Sequence, residues 1–514
     1  MSEVVESTEP SSVEFGRRAA ARAETRLLID GALVSATGDA TYENLSPATG
    51  LILGVAAAAS VQDMDRAIGA ARRAFDDTDW STNRALRKRC LEQFQAAIES
   101  EKEELREELV AEVGCPVMST NDAQLDWPLA QSLRYPASLI DDFEWERVLD
   151  GGGLFGPRNV RTVFKEPAGV VAAITPSNYP IEVILNKLGP ALAAGNTVVL
   201  KPDPNTPWNA ARLGRLIAEK TDFPAGVVNV VTTPDNEVAG ILATDPRVDL
   251  ISFTGSTAVG RHLMREGAST MKRTFLELGG KSALIVLDDA DPAKVAMSAV
   301  GSCAHAGQAC AVNSRVLVHQ SLFDEVVANV TAAYTAIPVG DPALPGTFVG
   351  PLISAAQKKR VLDVLDRARA EGAEFRTGGG EYADLPDHLR NGHFVAPTVV
   401  TGVDNSAAIA QQEIFGPVVI LLPFTDDDDA VRIANDSAFG LAGAVASSSA
   451  ERGMSVARRI RTGSVGVNGG MFYGADAPFG GYKNSGVGRQ CGLEGFEQYL
   501  ETKTIGCRVP KTDG

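Results

Sequence analysis

Short apolar runs alternate with longer amphipathic ones through the middle of the chain. Residues 169–174, 197–201, 227–231 and 249–254 are stretches of strand length centred on apolar residues. Between them, 181–194 and 208–220 carry apolar positions at helical spacing. Strands buried on both faces and separated by helices predict a parallel sheet of strand–helix–strand units. A second rhythm of the same kind starts at 282–287 and continues through 315–319 and 418–422. The pattern therefore predicts an α/β fold of two lobes with a cleft between them. Ligands of such sheets bind beyond the carboxyl ends of the strands.

Towards the N-terminus, Leu27-Leu-Ile-Asp-Gly31 predicts a short hairpin, and 64–75 and 85–113 read as helices, the second dense in charges at i,i+4 spacing. Residues 1–22 are polar and acidic and read as a flexible arm.

Composition narrows the class of molecule. The chain has 514 residues, 44% of them hydrophobic and 22% charged, which is ordinary for a globular protein able to bury a large core. Its net charge of −17 repels phosphate backbones and anionic lipid, so neither nucleic acid nor a membrane surface is expected as a partner. The longest apolar stretch, Leu51 to Val61, is far short of the ~18 residues that span a bilayer. Glu3, Glu6, Glu9 and Glu14 with no apolar core argue against a secretory signal or transit peptide. Six scattered cysteines form no disulfide framework, and five histidines without an HxxxH or CxxC spacing predict no metal site. A cytoplasmic enzyme is the expectation.

Four local features carry possible chemistry. Phe253-Thr-Gly-Ser-Thr-Ala-Val-Gly260 runs from strand into helix start; Gly255 allows a backbone to approach a ligand, and Ser256 can cap the helix and donate to a phosphate. Taken alone it reads equally as an ordinary turn. Gly307-Gln-Ala-Cys310 offers a nucleophile, against the reading of an inert buried thiol; nearby His305 has no geometry that makes it a base. In Phe275-Leu-Glu-Leu-Gly-Gly-Lys-Ser282, Glu277 is a charge between leucines, either turned to solvent or held in an apolar setting that suits a general base. In Pro176-Ser-Asn-Tyr-Pro180, Asn178 is either a plain cap or an oxyanion donor.

Together these features closely resemble the aldehyde dehydrogenase superfamily, in order and in spacing. The match adds Gly195-Asn-Thr-Val-Val-Leu-Lys-Pro202, Gln412-Glu-Ile-Phe-Gly-Pro417 and Pro478-Phe-Gly-Gly-Tyr-Lys-Asn-Ser-Gly486, and covers roughly residues 25–507. The resemblance implies a Rossmann-like cofactor domain over 23–144 and 168–279 and a catalytic domain over 280–490. It also implies an oligomerisation element over 145–167 and 491–510 that joins subunits into a homodimer or homotetramer. Cys310 would attack the aldehyde carbon, with Asn178 and the Cys310 N–H holding the oxyanion, and Glu277 would activate the water that hydrolyses the thioester. Lys187 would belong to a proton relay with Glu277. The cofactor contacts implied are Ile174, Thr175, Pro176, Ser177, Lys201, Asp203, Pro204, Gly255, Ser256, Gly279, Glu413 and Phe415. Lys281, Lys483 and the Arg489-Gln490 pair, where Arg-Glu is commoner, read as structural.

The glutamate that often binds adenine ribose in NAD-preferring members is replaced by Pro204, so NAD is expected with NADP admitted. The pocket implied is lined by Tyr179, Val183, Asn186, Ala309, Ala311, Phe472 and Tyr473. The loop 469–477 has no Lys or Arg to recognise a second carboxylate, so a medium-sized apolar aliphatic or aromatic aldehyde fits best, and Asp476 reads as solvated. The rival readings are an acylating, coenzyme A-dependent relative, which generally lacks the glutamate, and a non-catalytic nucleotide-binding relative.

Overall fold

A computed structural model describes residues 11–149 and 159–508. The apolar runs of the first half form the parallel centre of an eight-stranded sheet, in the order Val228–Val230, Thr197–Lys201, Val170–Ile174, Leu250–Thr254 and Arg273–Glu277. These strands are buried on both faces, which is why their sequences lack polar alternation. The hairpin of Leu27–Ile29 and Ala32–Val34 extends one edge antiparallel, as expected. Gly486–Val487 closes the other edge antiparallel, so the chain rejoins this sheet before the boundary expected at 490.

From Val170–Ile174 the chain builds first to one side and then, at Leu250–Thr254, to the other. The strand ends on either side of that reversal form a crevice. Register places Ile174 beside Lys201 and Phe253, and Thr254 beside Glu277, in one row at the carboxyl edge.

The second rhythm forms a seven-stranded sheet, parallel except for the edge strand Glu374–Thr377. Its centre, Ala283–Val286, Arg315–His319 and Val418–Phe424, anchors a separate core around Ile285, Leu317 and Leu421. The fold is thus α/β with two parallel sheets, as the periodicity predicted.

Three local expectations change. The arm expected over 1–22 is a helix at Ser12–Ala20, capped by Ser11; Phe15 and Ala19 are buried, and Arg18 and Arg22 pair with Glu107. An apolar stripe of that size is easily hidden by acidic neighbours in the sequence. Residues 1–10 lie outside the described residues. The single helix expected over 85–113 is three pieces: Arg84–Ser100, Lys102–Glu108 and a π-turn at Leu109–Val113. Glu101, at φ −121°, breaks the first from the second, and left-handed Gly114 ends the third. The helix expected over 64–75 runs from Val61 to Asp77 because Ser60 and Asp63 cap each other reciprocally.

A third sheet lies apart from both lobes. Glu146–Leu149 pairs antiparallel with Asn159–Pro167, and Leu500–Arg508 pairs with the latter along its whole length.

Candidate active site

The site is built where three turns meet at the crevice. The first follows Val170–Ile174. Thr175 donates its N–H to the Lys201 carbonyl at 3.1 Å, and Pro176 and Ser177 carry the chain to Asn178. Pro180 then starts the helix Pro180–Ala194, which is almost wholly buried. Buried Asn178 donates through Nδ2 to the Gln308 carbonyl at 2.7 Å, which fixes its amide two residues from Cys310 and leaves a second N–H.

The second turn carries the thiol. His305, Ala306 and Gly307 all have left-handed backbones, at φ +50°, +54° and +72°, and fold the chain back so that Cys310 is half-buried. Burial, then the carboxyls of Glu277, Glu182 and Glu413, push the Cys310 thiol well up, so it rests protonated. His305 does not serve it. Burial lowers the ring to about 4, opposed by the backbone of Asn178, and it packs edge-on to Tyr179 at 5.5 Å.

The third turn follows Arg273–Glu277. Glu277 is 4% exposed, so of its two readings the buried one holds. Neither of its oxygens has a hydrogen-bond partner among the described residues. Burial raises it well above the carboxylate range, opposed by the charges of Lys187 and Arg489. Its strand leads into Gly279 and Gly280. A methyl group on Gly280 would sit 2.5 Å from the Cys310 carbonyl, so the absence of a side chain there lets the two turns touch.

Lys187 lies beneath this junction. Its Nζ donates to Ser252 Oγ at 3.1 Å, and that hydroxyl contacts Tyr499 Oη at 3.0 Å. Burial lowers Lys187 to about 7 and the Glu277 charge pulls it back up. A buried amine near neutrality, electrostatically coupled to a buried carboxyl, can pass a proton.

Comparisons with known proteins give the family. The family model described as "Aldehyde dehydrogenase family" matches residues 33–505. A curated relative, 3-succinoylsemialdehyde-pyridine dehydrogenase of a Pseudomonas species, is 41% identical over 93% of this chain and 97% of its own. The chain belongs to the aldehyde dehydrogenase family. Betaine aldehyde dehydrogenase from Staphylococcus aureus, solved in complex with NAD+, is 34% identical with a TM-score of 0.92, covering 96% of this chain and 98% of its own. A mutant of aldehyde dehydrogenase C from Pseudomonas syringae, solved with NAD+ and octanal, is 36% identical with a TM-score of 0.89 over 95% and 98% of the two chains.

The residues of this aldehyde dehydrogenase fit a dinucleotide. Among the described residues, Thr175 Oγ1 is a buried hydroxyl without a partner, and Lys281 Nζ is a buried amine without one, lowered to about 7 by burial. Lys281, read as structural from the sequence, acts electrostatically on Glu413. Glu413 accepts the Gly280 N–H at 3.1 Å and lies so close to Gly279 that a methyl there would come within 2.1 Å of its carboxylate. Phe415 is held left-handed at φ +58°. Gly255 donates its N–H to the Glu277 carbonyl at 3.0 Å, and Ser256 caps the next helix by accepting from the Val259 N–H. Lys201 is buried beside Asp203, whose carboxylate is held by the Asn205 N–H and side chain, and Pro204 sits between them.

On the substrate side Tyr179, Val183 and Asn186 share the Pro180–Ala194 helix, and Ala309 and Ala311 flank the thiol. Tyr473 donates to Glu182 and packs between Trp127 at 5.1 Å and Phe479 at 5.0 Å. Phe472 does not join them; it lines a groove with Gly466, Asn468 and Met471 at the edge of the second sheet. Asp476 is exposed and Lys483 donates to the carbonyls of Asn435 and Ser437, as the sequence suggested for both. Gln490, read as structural, donates its amide to Tyr473 Oη at 3.3 Å. Sequence reasoning missed Glu182, Trp127 and Phe479. For Glu182 the signal was available: a charge inside Pro180-Ile-Glu-Val-Ile-Leu185, the same anomaly that exposed Glu277.

Proposed function

We propose that this chain oxidises a medium-sized aldehyde with an apolar body to the free carboxylic acid, using NAD, with NADP admitted. The observation that carries the reading is the convergence of Cys310, Asn178 and a buried, unpartnered Glu277 on one crevice. Bound NAD supplies the hydride acceptor. Thr175, Lys201, Asp203, Pro204, Gly255 and Ser256 would hold its adenosine and pyrophosphate, with Ile174, Pro176 and Ser177 beside them; Gly279, Glu413 and Phe415 would hold the nicotinamide end.

The protein's part begins with the thiol. The Cys310 proton passes to the Glu277 carboxylate, which hands it on towards Lys187, and the sulfur bonds to the aldehyde carbon. The oxygen gains negative charge, held by the free N–H of Asn178 and the backbone N–H of Cys310. After oxidation the acyl group remains on sulfur as a thioester. Glu277 takes a proton from water, the hydroxide adds to the thioester carbon, and the C–S bond breaks to release the acid. Lys187, with Ser252 and Tyr499 behind it, offers a route for the proton. An acylating relative needs no such base, and the buried carboxyl favours water. Six free cysteines and an acidic surface support a cytoplasmic setting, and the three-stranded ribbon supports assembly into a homodimer or homotetramer.

Two variants test the reading. Cys310→Ser should lose ~10³-fold or more of steady-state NADH production while its NAD affinity stays within about threefold. Glu277→Gln should give one equivalent of NADH in a rapid burst and then stall. Turnover that requires coenzyme A would reassign the chain to the acylating class. Cofactor binding without NADH from any aldehyde would make it a non-catalytic relative.

A further inference from the structure

Glu182 is a carboxyl that the reaction above does not use. It stands on the Pro180–Ala194 helix, one turn before Asn186, on an element whose other side chains are buried and, but for Asn186 and Lys187, apolar. Its Oε1 accepts from Tyr473 Oη and from Asn186 Nδ2, the latter at 3.1 Å. Its Oε2 accepts from no described residue, and Glu182 retains accessible surface. Asn186 and Gln490 also reach Tyr473 Oη, at 3.1 and 3.3 Å, so the carboxyl is held in a fixed frame with one oxygen left over.

The surroundings are aromatic and negative. Tyr473 packs against Trp127 and Phe479, and Tyr179 feels the charge of Glu182 first and that of Cys310 next, which places Glu182 within electrostatic reach of the nucleophile. Asp122 acts on Tyr179, Asp476 and Glu494 on Tyr135, and Glu277 on Cys491. Neither cation of the region is paired with Glu182. Lys187 donates to Ser252, and Arg489 to the carbonyls of Gly481 and Gly488. Burial raises Glu182 to about 7, with Tyr473 and Asn186 opposing. A desolvated carboxyl without a cation, beside aromatic faces, is complementary to an ammonium group, which gains both an ion pair and cation–π contact.

We propose that Glu182 determines specificity by receiving a protonated amine at the far end of the substrate through Oε2, so that the substrate class is ω-aminoaldehydes. This rests on the dehydrogenase reading of the same site and adds a cationic end to its apolar body.

The test compares ω-aminoaldehydes of three to five carbons with the isosteric unsubstituted alkanals, with NAD, in the wild type and in Glu182→Gln. The glutamine keeps an oxygen for Tyr473 and Asn186 and removes only the charge. The wild type should show kcat/KM at least tenfold higher for the aminoaldehyde. That ratio should fall at least tenfold in Glu182→Gln, through KM, and the aminoaldehyde KM of the wild type should fall as pH rises through about 7. Equal ratios in the two proteins, or a wild-type preference for alkanals, would overturn the proposal. Calorimetric binding of propylammonium to the Cys310→Ala protein separates the two readings. Binding that is lost on adding Glu182→Gln supports the ammonium site even if no aldehyde yields NADH, and absence of binding at millimolar amine counts against it.

Discussion

At the scale of single residues, the site is a contest between burial and charge. Glu277 and the Cys310 thiol are each pushed up by burial, and the charge of Glu277 makes the Cys310 thiolate costlier still. Lys187 opposes this at Glu277, and the Glu277 charge in turn restores part of the proton affinity that burial takes from Lys187. A carboxyl whose pKa is raised keeps its proton to higher pH, so its work as a base is lost on the acid side well above the ~4.3 of a free glutamate. The kcat profile should therefore show an acid limb well above the range of a free glutamate. Lys187→Met removes the opposing charge and should move that limb upward by half a unit or more, and Glu277→Gln should remove it. A limb at pH 4–5 in the wild type would mean that Glu277 is solvated in the working enzyme. The proposed catalytic group was legible because Cys310, Asn178 and Glu277 lie in motifs with recognisable neighbours. Glu182 carried the same signal, a charge among apolar residues, but it was easily passed over, because an acid in the first turn of a helix is also what the helix dipole favours. Trp127 and Phe479 are ordinary aromatic residues until the fold brings them to Tyr473.

At the scale of elements, the turns bear more constraint than the strands they connect. The strands followed directly from apolar runs, since burial on both faces leaves one admissible composition. The turn before Cys310 did not, because nothing in Ala304-His-Ala-Gly307 declares three successive left-handed residues. Nor did the break in 84–113, where good helix formers continue through both interruptions and tertiary contacts decide. Gly307 shows what the turn costs to alter. A methyl group there would meet the Gly416 carbonyl at 2.1 Å, on a backbone with φ +72°. Gly307→Ala should destabilise the protein by about 1–3 kcal/mol. Because Cys310 lies three residues on, kcat should fall as well, while NAD affinity changes less. Thermal unfolding with parallel kinetics checks this, and a variant with wild-type melting temperature and kcat would show that the turn gives way.

At the scale of the whole molecule, the two sheets were legible as two rhythms, but the return of the chain to the first sheet at Gly486–Val487 was not. Two residues are too short to leave a period, and their pairing with Arg273–Glu277 joins positions some two hundred apart in sequence. The third sheet poses the remaining question of assembly. Along Leu500–Arg508 only Leu500 is buried, and Ile505 and Val148 are 49% and 68% exposed. A ribbon of three strands with so much of its surface exposed is weakly stable alone and offers apolar side chains to a partner. We expect a second copy of the chain to cover it, as the family resemblance implied. Light scattering on the intact protein should therefore give twice or four times the mass of one chain. Val148→Glu with Ile505→Glu places two charges on that surface and should shift the population to monomer by at least tenfold in dissociation constant. Far-ultraviolet circular dichroism would verify that the lobes stay folded. A monomeric wild type, or a double variant of unchanged mass, would show that the ribbon serves the chain that carries it.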